Sequence, residues 1–326
     1  MEKEARILRV AAVQMESKNG LIEANLEHAA GLVEQAAERG AKLILLPEFM
    51  PTGYVMTRAI WDAAEPKEGP TVKWLEENSR RLNVWLGTSF LEADGDDFFN
   101  TFVMTTPDGE EAGRVRKQTP AVFEAYFTKG ETGPHVIDTE FGKIGVGICY
   151  ENFHCYLPRT MYHQSVDTIL MPHSAPTPME NPLCTREYVK WYDNAHRECA
   201  QRSARLLGVP AIMANKCGSW QTPLPGPFPP QDSSFPGLSA IADSDGTGKA
   251  QLSDKEGVIV EDVTLDPSRK THTPPQCWGR WAIKVPRQTK VFRAVEAFGG
   301  LSYSLSSERK KRAREISSAG DRRTEK

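Results

Sequence analysis

The sequence predicts an α/β fold in which helices cover two packed mixed sheets, so that an α-β-β-α sandwich forms four layers. Short apolar runs of strand length alternate along the chain with segments whose apolar residues recur at helical spacing. A β-hairpin interrupts this alternation, with its turn at Pro107-Asp108-Gly109 and its arms at 99–105 and 111–115. Alternating strands and helices favour a sheet covered by helices, and the hairpin adds antiparallel pairing. Two mixed sheets therefore fit the pattern better than one doubly wound sheet.

Before the hairpin, the pattern predicts three strands and two helices. Apolar residues mark the first strand, and Leu26, Ala29, Val33 and Ala37 recur at helical spacing after it. Pro47 ends the second strand, which is fully apolar. The predicted order is a strand at 7–15, a helix over 26–37, a strand at 43–46, a helix at 72–82 and a strand at 84–90.

After the hairpin, strands and helices alternate again, and the chain divides into two parts. We interpret 1–270 as one domain and 271–326 as a C-terminal extension that serves oligomerisation. It ends in a flexible basic tail from Ser306, which is either disordered or a solvated helix. The predicted elements are strands at 136–138 and 143–148, a helix at 158–163, a strand at 168–171, a long helix over 186–206, a strand at 209–214, an ordered surface loop at 217–235, a strand that resumes at 235–241 and a last strand at 257–263.

Composition and charge argue against several function classes. With 39% hydrophobic and 25% charged residues among 326, the chain can bury a sizeable core. The formal net charge of −3 gives no argument for a nucleic-acid or membrane partner, and no apolar run is long enough to span a bilayer. The N-terminus lacks the apolar core of a signal peptide. Six cysteines without a C-x-x-C pair predict reduced thiols in the cytoplasm, and we expect neither metal nor cofactor.

Cys149 is the strongest candidate for a nucleophile. It follows a short apolar strand, and alternation puts Gly145 and Gly147 on the face of the thiol, which leaves room for another backbone or a substrate. If the next turn opens a helix, a backbone N–H can face a developing oxyanion. A thiol needs a base, yet none of the seven histidines lies in a cysteine-protease context. An isolated cysteine is as often a small buried apolar residue as it is a nucleophile.

Three further charged residues follow predicted strands. Glu48 lies after the second strand, where active sites gather in α/β folds. Lys117 ends the second arm of the hairpin, and Glu124 follows shortly after it. Each residue alone is compatible with an ordinary surface position. What makes them distinctive is their order along the chain with Cys149, because Glu48, Lys117 and Cys149 each lie at the end of a predicted strand.

This arrangement resembles the nitrilase superfamily of carbon–nitrogen hydrolases over about residues 6 to 265. The resemblance implies that Cys149 is the nucleophile, Glu48 the general base and Lys117 the oxyanion stabiliser, while Glu124 helps to position substrate and lysine. Such a set would form a thioester that water then hydrolyses. The matching pieces are Leu45-Leu46-Pro47-Glu48-Phe49 with Gly53-Tyr54, Arg116-Lys117 with Glu124, Gly147-Ile148-Cys149-Tyr150-Glu151-Asn152, and Phe235-Pro236-Gly237-Leu238-Ser239.

The resemblance leaves the substrate open. It implies a pocket lined by Tyr54, Tyr150, Glu151, His173 and Ser174, although His173 could equally be structural. The nitrilase branch typically has a tryptophan where this chain has Tyr150, whereas the Phe-Pro-Gly-Leu-Ser segment looks like the amidase and N-carbamoyl-amine hydrolase branches. We expect an amidase that releases ammonia from a small-molecule amide. A nitrilase and an N-carbamoyl-amine hydrolase are the alternatives.

Two other function classes stay open. A non-catalytic binding or scaffold protein would lack one or more of Glu48, Lys117 and Cys149, and an acyltransferase would pass the same thioester to another acceptor.

The resemblance also implies an assembly of several copies, because members of the superfamily usually form homodimers or larger homo-oligomers. Apolar residues of the extension predict contact with a second copy: Trp278, Trp281, Val291, Phe292 and Phe298.

Overall fold

The computed structural model describes residues 4–182 and 184–324. Its strands are β1 (Arg6–Gln14), β2 (Leu43–Leu45), β3 (Glu65–Pro66), β4 (Trp85–Asp94), β5 (Asp97–Thr105), β6 (Glu111–Arg116), β7 (Val136–Thr139), β8 (Gly142–Val146), β9 (Thr168–Pro172), β10 (Ala211–Ala214), β11 (Cys217–Thr222), β12 (Gln231–Pro236), β13 (Ala240–Ala242), β14 (Gly248–Gln251) and β15 (Gly257–Leu265). Its α-helices are α1 (Ile22–Glu38), α2 (Pro70–Leu82), α3 (Tyr156–Gln164), α4 (Arg186–Arg197), α5 (Cys199–Leu207), α6 (Thr289–Ser304) and α7 (Ser307–Thr324).

Two mixed sheets form the centre of the fold. The seven-stranded sheet has the order β15-β1-β2-β4-β5-β6, with β3 paired to β4, and the six-stranded sheet has the order β14-β13-β10-β9-β8-β7. Each sheet has a parallel centre, β1-β2-β4 in one and β8-β9-β10 in the other, with antiparallel pairs towards its edges. Strands that are parallel end at the same edge of their sheet, so the segments after β8 and β9 lie side by side. The segment after β2, in the other sheet, joins them through the N–H of Glu48, which donates to the carbonyl of His173.

Side chains of β1 show how the layers arise. Val10 and Ala12 belong to the apolar cluster between the sheets, whereas Ala11 and Val13 belong to the cluster under α1 and α2. All four are fully buried, as expected for a strand that is covered on both faces. On the other side, α3 and α5 cover the second sheet through residues such as Leu157. The predicted α-β-β-α sandwich with two mixed sheets is confirmed.

The C-terminal extension packs on its own chain. Where the sequence predicts a flexible basic tail from Ser306, the structure has α7, whose Ala313 is fully buried in a cluster with Trp61 and Phe98. The tail is ordered because its basic side chains pair with acidic ones, two of them at the turn between β4 and β5 and the third at Asp62. The pairs are Arg309 with Asp97, Arg312 with Asp62 and Arg314 with Asp96.

Three predicted elements differ from the structure. The strand predicted at 235–241 is divided between the end of β12 and the start of β13, which belong to different sheets. The segment 217–235, predicted as a surface loop, contains β11 and most of β12, which pair as an antiparallel ribbon. Trp220 and Phe235 anchor this ribbon in the apolar cluster that also contains Phe49, so burial of large side chains outweighs the Pro- and Gly-rich composition. The long helix predicted over 186–206 is two helices, α4 and α5, joined at Glu198.

A disulfide joins Cys155 to Cys277, while Cys149 and three other buried cysteines are free. The extension reaches Cys155 because its backbone crosses the segment after Cys149, where the N–H of Cys155 donates to the carbonyl of Arg280 at 2.8 Å. The expectation of six reduced thiols is therefore corrected for this pair. The prediction of a cytoplasmic location loses the support it took from the cysteines.

Candidate active site

Cys149 lies in a turn that strains its backbone. Its φ is +54°, in the left-handed region that residues other than glycine rarely adopt. Asn152 fixes this turn, because its Nδ2 donates to the carbonyl oxygens of Gly147 at 2.7 Å and Cys149 at 3.0 Å. A Cβ at Gly147 would clash with Asn152, so this glycine makes room for the turn rather than for a substrate. The Cys149 side chain is buried at the end of the core between the sheets.

Glu48 lies just beyond the carboxyl end of β2, and its backbone is held on both sides. Its N–H donates to the carbonyl of His173 at 3.1 Å, and its carbonyl accepts from Oγ of Ser174 at 2.9 Å. The next residue, Phe49, has a φ of +47°, and its carbonyl accepts from Nζ of Lys216 at 2.8 Å. These contacts tie Glu48 to the segments after β9 and β10, and its side chain is fully buried.

Lys117 follows β6 and is buried between two carboxylates. Its Nζ donates to Oε1 of Glu48 at 2.7 Å and to Oε2 of Glu124 at 2.6 Å. Burial alone would lower the pKa of Lys117, but Glu124 and Glu48 outweigh it and hold the pKa well above its usual value. The side chain is therefore an ammonium. Two of its three N–H donors are used by the carboxylates, and the third can serve a substrate.

Asn100, on β5, closes a ring of four buried side chains. Its Nδ2 donates to Oε1 of Glu48 at 2.7 Å and to Oε1 of Glu124 at 2.9 Å. Glu124 also accepts from the backbone N–H of Ala121 at 3.0 Å. Burial raises the pKa of Glu124 although the ammonium of Lys117 opposes this. Two carboxylates share one ammonium here, so the ring depends on neutral donors as well as on the ion pairs.

The thiol of Cys149 lies beside this ring. Burial and then the carboxylate of Glu48 raise the pKa of Cys149 well above its usual value, against the opposing effect of Lys117. The thiol thus keeps its proton at neutral pH and needs a base before it can attack. Oε2 of Glu48 is buried and has no hydrogen-bond partner within the described residues, so it is the oxygen that can accept this proton.

Two tyrosines border the thiol and the ring. Tyr54, predicted to bind substrate, stacks between Phe49 and Trp220 with ring centroids 5.7 and 5.8 Å away. Burial raises the pKa of Tyr54 well above its usual value, and the negative charges of Glu124 and Glu48 add to this rise. Tyr192, on α4, has a raised pKa because of burial and the proximity of Cys149.

Glu151, predicted to bind substrate, instead joins two loops of the chain. Its Oε1 accepts from the N–H of Gln118 at 2.7 Å and from the hydroxyl of Tyr156 at 2.6 Å, and it lies 3.1 Å from Nε2 of His135. Its Oε2 accepts from the N–H of Ile148 at 3.1 Å. Burial would raise the pKa of Glu151, but these partners lower it, so the carboxylate stays ionised and occupied. It links the residue after Lys117 to the residue before Cys149.

Three more residues that were predicted to bind substrate make other contacts: His173, Ser174 and Tyr150. Nε2 of His173 lies 3.1 Å from Nδ2 of Asn152, and burial keeps the pKa of His173 well below its usual value, so it is a neutral support of the turn. Ser174 acts through its backbone N–H, which lowers the pKa of Cys149 and opposes part of the effect of burial. The ring of Tyr150 contacts Trp281, 6.0 Å between centroids, in the extension.

Three residues near the site were not predicted from the sequence: Asn100, Tyr192 and Lys216. A polar residue that interrupts the apolar run of β5 was the available signal for Asn100, and Tyr192 lies on a helix that is otherwise typical of a surface. Lys216 is fully buried, and burial lowers the pKa of Lys216 to about 7 despite the proximity of Glu48.

Two features are not found in the part of the chain that the structure describes. There is no group of three or more His, Cys, Asp or Glu side chains arranged to hold a metal ion. Nor does any helix in those residues combine the length and the hydropathy needed to cross a membrane.

Comparisons with known proteins identify a family that matches most of the chain. The model of a family described as carbon-nitrogen hydrolase matches residues 9–273. N-carbamoylputrescine amidase of Arabidopsis thaliana is 29% identical over 287 residues, which cover 84% of this chain and 92% of that protein. A nitrilase of Pyrococcus abyssi is 30% identical over 220 residues, covering 64% of this chain and 82% of that protein.

The fold is similar to that of solved structures. A carbon-nitrogen hydrolase from Helicobacter pylori G27 matches with a TM-score of 0.66 and 23% sequence identity, over 81% of this chain and 91% of that one. At this level of identity the likeness concerns the fold alone. It extends to the two packed mixed sheets with helices on their outer faces.

Proposed function

The chain belongs to the carbon–nitrogen hydrolase family, and we propose that it hydrolyses a terminal –CO–NH₂ group through a covalent acyl intermediate on Cys149. The group can belong to a simple amide or to an N-carbamoyl amine. One observation carries this proposal: a protonated thiol lies beside a buried carboxylate whose Oε1 is held by an ammonium and an amide while its Oε2 is free. The complete set argues against a non-catalytic scaffold.

The first half-reaction forms the acyl intermediate. Oε2 of Glu48 takes the thiol proton as the sulfur of Cys149 attacks the carbonyl carbon. The third N–H of Lys117 and the backbone N–H of Tyr150 donate to the developing oxyanion. Glu48 then passes its proton to the departing nitrogen, the C–N bond breaks, and ammonia leaves.

The second half-reaction restores the thiol. Glu48 accepts a proton from water as the water oxygen attacks the acyl carbon, and the C–S bond breaks with return of that proton to the sulfur. A simple amide yields its acid. An N-carbamoyl amine yields a carbamic acid, which decomposes to carbon dioxide and the free amine. An acyltransferase would differ only in replacing water by another acceptor.

The N-carbamoyl substrate is a specific second candidate, because the Arabidopsis thaliana relative named for this activity is similar over 84% of the chain. The nitrile is less favoured. Its attack by a thiol develops charge on nitrogen rather than on a carbonyl oxygen, and Tyr150 occupies the position where the nitrilase branch typically has a tryptophan. All three substrates would use the same thiol.

We expect a matched substrate panel to rank these chemistries. The purified protein is incubated with an amide, an N-carbamoyl amine and a nitrile that carry the same side chain, and released ammonia is measured. The amide or the N-carbamoyl amine should react about tenfold or more faster than the nitrile, a difference of about 1.4 kcal/mol in activation free energy. Rapid nitrile conversion beside an inert amide and an inert N-carbamoyl amine would reverse the proposed order.

We also propose that the exposed apolar face of α6 packs against a second copy of the chain. Phe298 is 65% exposed and Leu305 is 76% exposed, and Val291 and Leu301 lie on the same face. An exposed apolar stripe of this kind is typical of an interface. The predicted partner contacts at Trp281 are instead made within the chain, where the ring packs against Tyr150 and His154.

Charged substitutions on this face test the assembly. We expect the wild-type protein to sediment as a dimer or larger oligomer and the double variant Phe298→Asp/Leu305→Asp to sediment as a smaller species. Ile7→Asp, at a position that is 66% exposed on another surface, is the matched control and should leave the oligomer intact. An oligomer that survives both aspartates would rule out the α6 face as the interface.

A further inference from the structure

Asn100 occupies a central place in the site although it is neither a nucleophile nor an acid or base. It is fully buried on β5, and its single amide nitrogen donates to Glu48 at 2.7 Å and to Glu124 at 2.9 Å. Its carbonyl oxygen on the main chain accepts from the backbone N–H of Lys117 at 2.9 Å. One residue therefore contacts all three charged members of the ring.

We propose that Asn100 is a positioning residue that sets which oxygen of Glu48 acts as the base. The proposal rests on the proposed function, because it assigns Asn100 a part in the same reaction. Oε1 of Glu48 accepts from both Asn100 and Lys117 and is thereby occupied. Oε2 is left for the thiol proton, so a fixed Oε1 also fixes the direction in which Oε2 points.

The orientation of the Asn100 amide follows from electrostatics. Its Oδ1 is buried without a hydrogen-bond partner within the described residues, whereas Nδ2 has two carboxylate partners. The opposite orientation would put Oδ1 against two carboxylate oxygens and would lose both hydrogen bonds. The orphaned acceptor costs free energy, and two charge-assisted bonds outweigh that cost.

A neutral donor suits this position better than a second cation. Glu48 and Glu124 share the ammonium of Lys117, so the buried ring carries excess negative charge when both carboxylates are ionised. Asn100 stabilises each ionised carboxylate without competing with Lys117 for the substrate oxyanion. Removing its amide should make protonation of these carboxylates more favourable, and a proton on Glu48 would leave the thiol without a base.

The same carboxylates interact with titratable groups on several elements. These groups are Lys117 beyond β6, Cys149 beyond β8, Tyr54 beyond β2, Lys216 beyond β10 and Tyr192 on α4.

Asn100→Leu removes the amide with little change in size. We expect kcat/KM for ammonia release to fall on the order of 10²-fold, mainly through kcat, as for loss of one preorganised donor. The acid limb of the pH profile should move upward by about one pH unit, because the carboxylate pair binds a proton more readily. Asn100→Asp, whose protonated carboxyl can donate to one carboxylate, should recover part of kcat. Thr101→Val, on the opposite face of β5, is the matched control and should keep the wild-type profile.

A second readout needs no substrate. The rate at which iodoacetamide alkylates Cys149, followed by peptide mass spectrometry against pH, reports whether a base is available to the thiol. It should slow in Asn100→Leu with the same upward shift of the acid limb. A folded Asn100→Leu with an unmoved acid limb in alkylation would overturn the proposal, whatever happens to kcat. If Asn100→Leu does not fold, Asn100→Asp must show the shift instead. Failure of the wild type to hydrolyse any –CO–NH₂ substrate would refute the proposed function. The alkylation result would then still show whether Asn100 affects the base available to the thiol.

Discussion

Replacing Cys149 by alanine should reduce turnover on the order of 10⁴-fold or more, because the thiol forms the covalent intermediate in the proposed reaction. The change removes one sulfur from a position that is 6% exposed, so the fold should persist. Ammonia release from the best substrate of the panel measures the effect. Circular dichroism and thermal unfolding show that the variant is folded.

Cys199→Ala is the control for loss of a buried thiol. Cys199 is fully buried on α5, where its sulfur accepts from Nη2 of Arg202, and it lies in the cluster under the second sheet. This variant should retain turnover with a modest loss of stability. Substantial ammonia release by Cys149→Ala, or equal loss in both variants, would show that Cys149 is not the nucleophile.

Replacing Glu48 by glutamine should have the second largest effect. Glutamine keeps the shape of the side chain, and its Oε1 can still accept from Lys117 and Asn100, but its Nε2 cannot take the thiol proton. Because burial raises the pKa of Cys149, loss of the base leaves the thiol protonated and unreactive. We expect kcat to fall by about 10²- to 10⁴-fold, the range typical of a lost general base.

Glu65→Gln tests whether any buried carboxylate would matter as much. Glu65 is 1% exposed, accepts from the hydroxyl of Thr71 at 2.6 Å, and lies outside the ring. Burial raises the pKa of Glu65 to about 7, so a neutral side chain is already partly populated near neutral pH. Its glutamine variant should keep kcat. Equal losses in both variants would indicate a general effect of buried charge rather than a base at Glu48.

The residues of the proposed catalytic set could be located in the sequence because each lies in a short local motif. Glu48 follows a fully apolar strand, Lys117 ends a hairpin arm, and Cys149 follows a strand and opens a turn. The family resemblance then supplied their roles. Asn100 carries no such motif, since its partners Glu48 and Glu124 are 52 and 24 residues away and become neighbours only when the sheet forms.

Motif adjacency did not indicate the direction of each side chain. Glu151 is two residues from Cys149, yet its carboxylate accepts hydrogen bonds from Gln118, Ile148 and Tyr156 rather than facing a pocket. A carboxylate that closes a 3₁₀ turn onto its own backbone looks, in sequence, like one that faces a substrate. The hydrogen-bond partners that distinguish these cases come from distant segments.

Contacts across long sequence separations account for the remaining differences. The disulfide joins cysteines 122 residues apart, and the salt bridge of Arg309 with Asp97 spans 212 residues. Local composition predicts a solvated basic tail, whereas the acidic turn between β4 and β5 gives that tail a surface to dock on. Such complementarity between remote segments cannot be read from either segment alone.

The most direct test of the central claim is the mass of the protein during turnover. The wild type is mixed with the best –CO–NH₂ substrate, quenched with acid and digested, and the peptides are mapped by mass spectrometry. We expect the acyl group of the substrate on the peptide that contains Cys149, and no adduct in Cys149→Ala. An acyl group on a peptide without Cys149, or undiminished hydrolysis by Cys149→Ala, would contradict a covalent role for this thiol.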